Sequence, residues 1–470
     1  MNLKNHQKFF HFIQKNTILE RDGNIITISK EEEIPVQILY PENFPLEKKA
    51  VEQLLNFAQL KTSQGNKMKC ACAMPDFHQG ENIPIGSIVV SEKDIVIPSA
   101  IGTDINCGMR MHHTGLKLDQ FLQNKKKIIE LLKGDLLEGT RNIPTTQKSM
   151  EAMFLDGLGA FWKEIKNRPE GIFQHIDYQQ VEKEIESLHS SSFLRGNLEY
   201  APENLMNRSV LRDPNLGTLG GGNHFFEFQV IQEIKDKKRA FELGLHIGDV
   251  VYTIHTGSRD VGFYVGRRWM DIAKENYPKG IKHPKHHIYM LEGEKANQYL
   301  QAMQSASHYA TVNRALIAEM ARQRIFQIFS KDINNHCIVD VPHNIVIQEQ
   351  EGNVHRKGST PAYENQLLVI PGSMGDFSYL LKGLGNEKWQ KSSSHGAGRK
   401  LSRSETFYEF KKNPQKFQLD KVECITLKEE RKIEESPGAY KDISQVIQSQ
   451  VDEKMIDIIA VFSPLVTFKA

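Results

Sequence analysis

The sequence predicts an α+β protein: a single large domain, residues 1–470, of mixed β-sheets surrounded by helices, with a helical insertion at about 117–200. Three observations predict this. Strand-like and helix-like segments do not alternate regularly, as a doubly wound sheet would require. Short β-like runs, separated by Gly-, Asp- and His-bearing turns, fill 70–116 and return from 215 onwards. Between them, 117–200 is charged, poor in glycine and periodic at helical spacing.

Residues 1–45 read as a small helix followed by strands. PENFPLEKKAVEQLLNFAQL (41–60) is a proline-punctuated entry into an amphipathic helix. IGSIVV and DIVIPSA read as strands, the second ending at Pro98. FLQNKKKIIELLKG and YQQVEKEIESLH carry the helical insertion. NLGTLGGGNHFFE (215–227) restores the glycine-rich style, and VVYTIHTGSRDVG (250–262) reads as a strand. Residues 293–330 form a long helix with apolar residues at helical spacing. Short strands follow from 336, in HCIVDVPHNIVI, VHRKGSTPAY, LLVIPGSMGDFSY and SSSHGAGRKLSR, and the chain closes on IDIIAVFSPLVTFKA. No internal repeat, coiled coil or low-complexity linker interrupts this order.

Composition excludes several classes. Apolar residues make up 39% and charged residues 25%, ordinary for a water-exposed globular chain. A formal charge of +2 is too small to announce a nucleic-acid binder, so any such role rests on local patches. No apolar run is long enough to span a bilayer, and MNLKNHQKFFHFIQKN lacks the marks of a signal peptide. Five scattered cysteines form no disulfide framework, so a reducing, cytoplasmic setting is expected.

The chemistry gathers on IGTDINCGMR (101–110). Asp104 and Cys107 lie three apart between Gly102 and Gly108. A carboxylate and a thiol on one buried turn need a partner, and a divalent cation serves both. His224, His255, His343 and His395 each sit beside Gly, Asn, Thr or Ser at a strand end or turn. Imidazoles, a carboxylate and a thiolate can hold one ion, or two ions sharing the thiolate, with zinc and manganese both admitted. His78 is a further candidate ligand, and Asp76 beside it either orients a ligand or closes a turn. Gly217–Gly222 and Pro371–Gly375 offer free backbone N–H groups suited to phosphate, although neither is a P-loop or a dinucleotide fingerprint. Arg110, Arg259, Arg267, Arg268, Arg356, Lys357, Arg399, Lys400 and Arg403 adjoin these turns, as a phosphate-lined groove requires. His395, flanked by small residues and backed by Arg399 and Arg403, is suited either to attack phosphorus or to serve as a fourth histidine ligand.

MPDFHQG, AIGTDINCGMR, GTLGGGNHFFE, HTGSRDVG, PHN, VHRKGSTPAY, PGSMGDFSY, SSHGAGRKLSR, SPGAYKDI and the ending VTFKA, in this order, resemble the RtcB-type RNA-splicing ligases from about residue 70 to the C-terminus. The resemblance implies a GTP- and manganese-dependent enzyme that joins RNA 3′-phosphate or 2′,3′-cyclic phosphate ends to 5′-hydroxyl ends. The RNA would be tRNA or another structured RNA. By the family pattern, Asp104, Cys107, His224, His255 and His343 hold two manganese ions with Cys107 bridging, and His395 becomes guanylylated. Asn223 contacts the nucleotide phosphate or metal. Glu227, Ser378, Tyr440 and Lys469 read guanine, while Ser373, Arg399 and Arg403 line the nucleotide site.

Four motifs depart from the family pattern. FHQGEN stands for VHLGKG, GTDINCG for GVDIGCG, HTGSRDVG for HSGSRGLG, and VHRKGSTPAY for VHRKGATRAF, so Asn106, Asp260 and Pro361 are atypical. The metal and nucleophile positions are intact. With the insertion, the departures suggest a divergent branch that repairs cleaved RNA. The competing readings are a metal-dependent phosphodiesterase or phosphatase acting on RNA ends, and a catalytically silent RNA- or GTP-binding protein.

Overall fold

Two antiparallel-rich sheets stack face to face and a helical layer covers the second, in a computed structural model. It describes residues 18–470 except 31, 32, 43, 45, 63, 64, 67, 188–193, 207–210, 281, 285, 330–332 and 420–422. The first sheet has the strand order Ile18–Asp22, Ile25–Ser29, Val36–Leu39, Met68–His78, Ile85–Ser91, Asn353–Lys357, Asn344–Gln348. The second runs His336–Pro342, Gly108–Lys117, Asp249–Thr256, Phe225–Ile234, Ile456–Lys469, Ser378–Gly383, Leu367–Pro371, with Cys424–Thr426 parallel to Ile456–Lys469.

Side-chain alternation explains the layering. Met109 and Met111 point into the core between the sheets, together with Ala71, Ile88, Val251 and Val461. Phe226, Phe228, Tyr252 and Ile254 point the other way, onto the helices. Asp249–Thr256 is buried along its whole length, which suits DVVYTIHT to the sheet centre. The 37-residue helix Gly293–Phe329 crosses the helical face of this sheet, buried through much of its length. The insertion helices Leu118–Leu136, Gln147–Asp156 and Leu158–Asn167 pack against it, and Tyr178–Ser187 packs against Leu158–Asn167 and the edge strand His336–Pro342. Phe121, Phe154, Phe161 and Trp162 bring the insertion into the same core as Tyr309.

The small helix expected at the extreme N-terminus lies outside the described residues. DIVIPSA forms a strand only over Ile95–Val96, and Pro98–Ala100 is a 3-10 turn because proline at the first helical position starts one readily. The strand expected over 250–262 ends at Thr256. Arg259–Glu275 is a helix, with Val261, Val265, Trp269 and Ala273 buried at four-residue spacing. Further helices, Arg403–Lys412 and Ile443–Asp452 among them, are not expected from the sequence. The first carries a legible signal, since Ser402 and Glu405 cap each other's backbone N–H groups. Among the described residues no helix is long and apolar enough to cross a membrane.

Candidate active site

Four neighbouring strands of the second sheet end at one rim, and strand register brings their terminal residues together. Thr256 pairs with Gly108, Gly108 with Pro342, and Phe225 with His255. Cys107 immediately precedes its strand, His224 precedes Phe225, His343 follows Pro342, and His255 is the last residue but one of Asp249–Thr256. Four residues scattered over the sequence thus meet at one rim, and Cys107, His255 and His343 line a cavity of about 460 Å³ there.

Their donor atoms converge. Cys107 Sγ lies 3.2 Å from His255 Nε2 and 3.3 Å from His224 Nε2. His255 Nε2 and His343 Nε2 are 3.3 Å apart, and Asp104 Oδ2 is 2.9 Å from His224 Nε2. Two nitrogens on one tetrahedral cation at ~2.0–2.1 Å stand about 3.3 Å apart, so the imidazole spacing suits a shared ion. Burial, then the surrounding positive groups, holds His255 and His343 well below the usual histidine range, leaving them neutral and ready to ligate. Asp104 is only part-buried, and the charge and hydrogen bond of His224 hold its carboxyl well below the usual range against the partial loss of solvent. Burial, then the Asp104 charge, pushes the Cys107 thiol well up. A bound cation reverses that last effect, because it stabilises the thiolate. The donor set therefore fits a divalent metal.

The turn that carries the pair is itself exacting. Asn106 adopts φ +54°, the left-handed conformation that glycine or asparagine accepts, which accounts for its standing where the family pattern has glycine. A Cβ on Gly257 would come within 2.2 Å of Asp104 Oδ1 and 3.0 Å of Cys107 Cα, so only glycine lets the two loops approach.

His395 lines the same cavity beside the donor cluster, its ring centroid 4.9 Å from that of His343. Its Nδ1–H donates to Asp76 Oδ2 at 2.7 Å, and its backbone N–H donates to the same oxygen at 3.1 Å. Asp76 thus orients His395. The His78 Nδ1 lies 2.8 Å from the Asp76 carbonyl, and burial lowers its pKa to about 3. His78 lines the cavity outside the converging donor cluster.

The remaining predicted residues gather around the same cavity. Glu227 is buried, accepts from Thr467 Oγ and from Gln229 Nε2 (2.8 Å), and burial raises its pKa to about 7. Asn223, Ser373, Arg399, Arg403, Tyr440 and Lys469 line the same cavity. Ser373 Oγ donates to Asp376 at 3.2 Å. Ser378 stands behind the wall, accepting from Gln229 Nε2 at 2.8 Å. Glu435 was not anticipated. It receives the Tyr440 hydroxyl at 2.5 Å and Arg399 Nη1 at 3.3 Å, and lies 3.6 Å from Lys469 Nζ. Burial raises its carboxyl, but Lys469, Arg399 and Tyr440 prevail and hold it low. Lys441 was missed too: it donates to the Pro75 and Phe77 carbonyls that flank Asp76.

The expected basic groove divides. Lys357, Arg399 and Arg403 line the cavity. Arg110 and Arg356 instead turn inward: Arg110 pairs with Asp340 (3.0 Å) and Glu184 (3.3 Å), and Arg356 with Glu349 (2.8 Å). They hold the core together and face no ligand.

Fold and cavity together define a protein with a candidate metal-dependent active site at the ends of four strands. Residues 53–470 match the family described as tRNA-splicing ligase RtcB. The chain is similar to the tRNA-splicing ligase RtcB of Thermococcus kodakarensis, at 29% identity over 89% of this chain and 90% of that protein. It is similar to the tRNA-splicing ligase RtcB of Aeropyrum pernix, at 30% identity over 87% and 90%. It also resembles the RNA-splicing ligase RtcB homolog 2 of Entamoeba dispar, at 30% identity over 84% and 80%. The chain belongs to the RtcB family of RNA ligases.

Proposed function

We propose that this chain joins RNA 3′-phosphate or 2′,3′-cyclic phosphate ends to 5′-hydroxyl ends, consuming GTP through a guanylylated His395. One observation carries the reading. The Asp76 carboxylate holds Nδ1–H of His395, which leaves the lone pair on Nε2, on the wall of the cavity that contains the N/O/S donor cluster.

Asp104, Cys107, His224, His255 and His343 would hold two manganese ions; when bound, these would neutralise phosphate oxygens and activate an oxygen nucleophile. His395 Nε2 attacks the α-phosphorus of GTP: the P–N bond forms, the bond to the bridging oxygen breaks, and pyrophosphate leaves. Asp76 stabilises the positive imidazole and keeps its proton on Nδ1. A cyclic phosphate end is first hydrolysed to the 3′-phosphate. An oxygen of the RNA 3′-phosphate then attacks the guanylyl phosphorus, the P–N bond breaks, and His395 returns to neutral. The 5′-hydroxyl attacks the activated 3′-phosphorus, loses its proton to solvent, and GMP departs. Arg399 and Arg403 stabilise charge on the phosphoryl oxygens. Asn223 and Ser373 contact the nucleotide, Glu227, Tyr440 and Lys469 read guanine, and Ser378 acts on that reading from behind, through the Gln229 amide it shares with Glu227.

The test is to mix the protein with α-labelled GTP and manganese. An acid-labile, base-stable adduct is expected on the wild type and none on His395→Ala. No adduct on folded, metal-loaded wild type overturns the reading. RNA-end hydrolysis surviving in His395→Ala, with no joining by the wild type, would support the phosphodiesterase alternative. Equal joining of generic and structured RNA ends would remove the idea of a dedicated repair branch.

A further inference from the structure

We infer that Asn313 and Arg314, consecutive residues of the helix Gly293–Phe329, are positioning residues that set the geometry of the donor cage. The inference rests on the reading of Asp104, Cys107, His224, His255 and His343 as metal ligands.

Arg314 is 1% exposed, and burying a guanidinium is costly unless its N–H groups are matched. Its matches are not helical neighbours. Nη1 donates to the Asn106 carbonyl at 2.7 Å and to the Thr256 carbonyl at 3.1 Å. Nη2 donates to Asn106 Oδ1 at 3.2 Å, and Nε to Asp340 Oδ1 at 2.8 Å. Asn106 precedes Cys107, Thr256 follows His255, and Asp340 lies on the strand that leads into His343. One planar fork therefore spans three ligand-bearing segments. It also grips both oxygens of Asn106, backbone and side chain, the residue held in the left-handed conformation.

Asn313 reaches the fourth segment. Its Oδ1 accepts the backbone N–H groups of Gly217 (2.7 Å) and Thr218 (3.0 Å), at the head of the glycine loop that ends on His224. Its Nδ2 donates to the carbonyls of Thr218 (3.0 Å) and Gly257 (3.2 Å). Gly257 is the residue wedged against Asp104 and Cys107. All four loops are thus referenced to two neighbouring side chains on one rigid rod. A cage assembled from four strand ends has no local reason to keep its spacing, and a shared template provides one. The template continues outward: the other oxygen of Asp340 takes Arg110 at 3.0 Å, and Arg110 reaches Glu184 of the insertion helix Tyr178–Ser187 at 3.3 Å.

Cobalt(II) is the probe. Wild type, Asn313→Ser, Arg314→Lys and a control, Arg324→Lys on the same helix, whose partners are Asp135 and Gln327, are titrated with Co2+. Affinity, the thiolate-to-cobalt charge-transfer band and the unfolding temperature of the metal-free protein are recorded. Arg314→Lys keeps the charge beside Asp340 and loses the fork. Both test variants are expected to bind Co2+ roughly 10- to 100-fold more weakly, with a shifted or weakened band, while the control binds as wild type does. Test variants with the wild-type affinity and band overturn the inference, whatever their unfolding temperature. A wild type that binds Co2+ without a thiolate band overturns the metal reading itself, a separate result. If Arg314→Lys does not fold, Asn313→Ser decides on the same criteria.

Discussion

Replacing Asp76 by asparagine removes one charge from the centre of the proposed chemistry and keeps its volume. The carboxylate is wholly buried and takes two hydrogen bonds from His395, at 2.7 and 3.1 Å. Burial raises its pKa, but the hydrogen bond and charge of His395, with His78 and Lys441, outweigh that and hold it below the usual range. It is ionised at neutral pH. When His395 Nε2 bonds to phosphorus the ring becomes cationic, and the Asp76 bond becomes charge-assisted on both sides. Such a bond contributes about 1.5–3 kcal/mol, against about 1 kcal/mol for a neutral one. The difference is about 0.5–2 kcal/mol, which at about 1.4 kcal/mol per tenfold slows guanylylation roughly 2- to 30-fold. An amide also lets the ring take the other tautomer, whose Nε2–H cannot attack, and that loss can extend the total toward ~10⁴-fold. Rapid-quench labelling in one turnover, with saturating GTP and metal, measures the rate. An Asp76→Asn rate indistinguishable from wild type would refute the role given to this pair.

Three other outcomes follow from the geometry. Cys107→Ala and Asp104→Ala should abolish guanylylation while the chain stays folded by circular dichroism; retained labelling would make their turn structural. Gly257→Ala puts a methyl 2.2 Å from Asp104 Oδ1. It should cost about 1–3 kcal/mol of stability and weaken manganese binding, read by thermal unfolding and by titration; unchanged binding would show that the loops can separate freely. Glu227 gives a pH signature. Its pKa rises from 4.5 to about 7 through burial, so its contribution is fully present below about 4.5 and is lost as pH rises through 7. The metal-free protein should lose about 3 kcal/mol from this group across that window, and Glu227→Gln should flatten the slope. Parallel slopes in the two proteins would contradict the buried, neutral carboxyl.

Much of the site was legible because its residues sit in short, chemically marked turns. Asp104 and Cys107 share a glycine-flanked loop, and His224, His255 and His343 each announce a strand end. The helical insertion was equally plain, since periodicity is a local property. Glu435, Lys441, Asn313 and Arg314 were not. A buried arginine in a long helix reads like any solvated charge until its partner is known, and Asn106 lies 208 positions away. Asp76 was visible as a polar turn residue, but its role depends on an imidazole 319 positions along the chain. The error over Arg110 and Arg356 has a related cause: alternation tells which residues share a face of a strand, and only packing tells which face looks inward.

By itself the sequence determined the donor chemistry, the helix and strand periods, and the conformations glycine and asparagine permit in turns, because each depends on a few adjacent residues. Tertiary structure alone decided which donors meet, which nitrogen of His395 is free, and which charges are spent on one another inside the core. Those outcomes are set by antiparallel register and by hydrogen bonds between segments hundreds of residues apart, which no local pattern encodes.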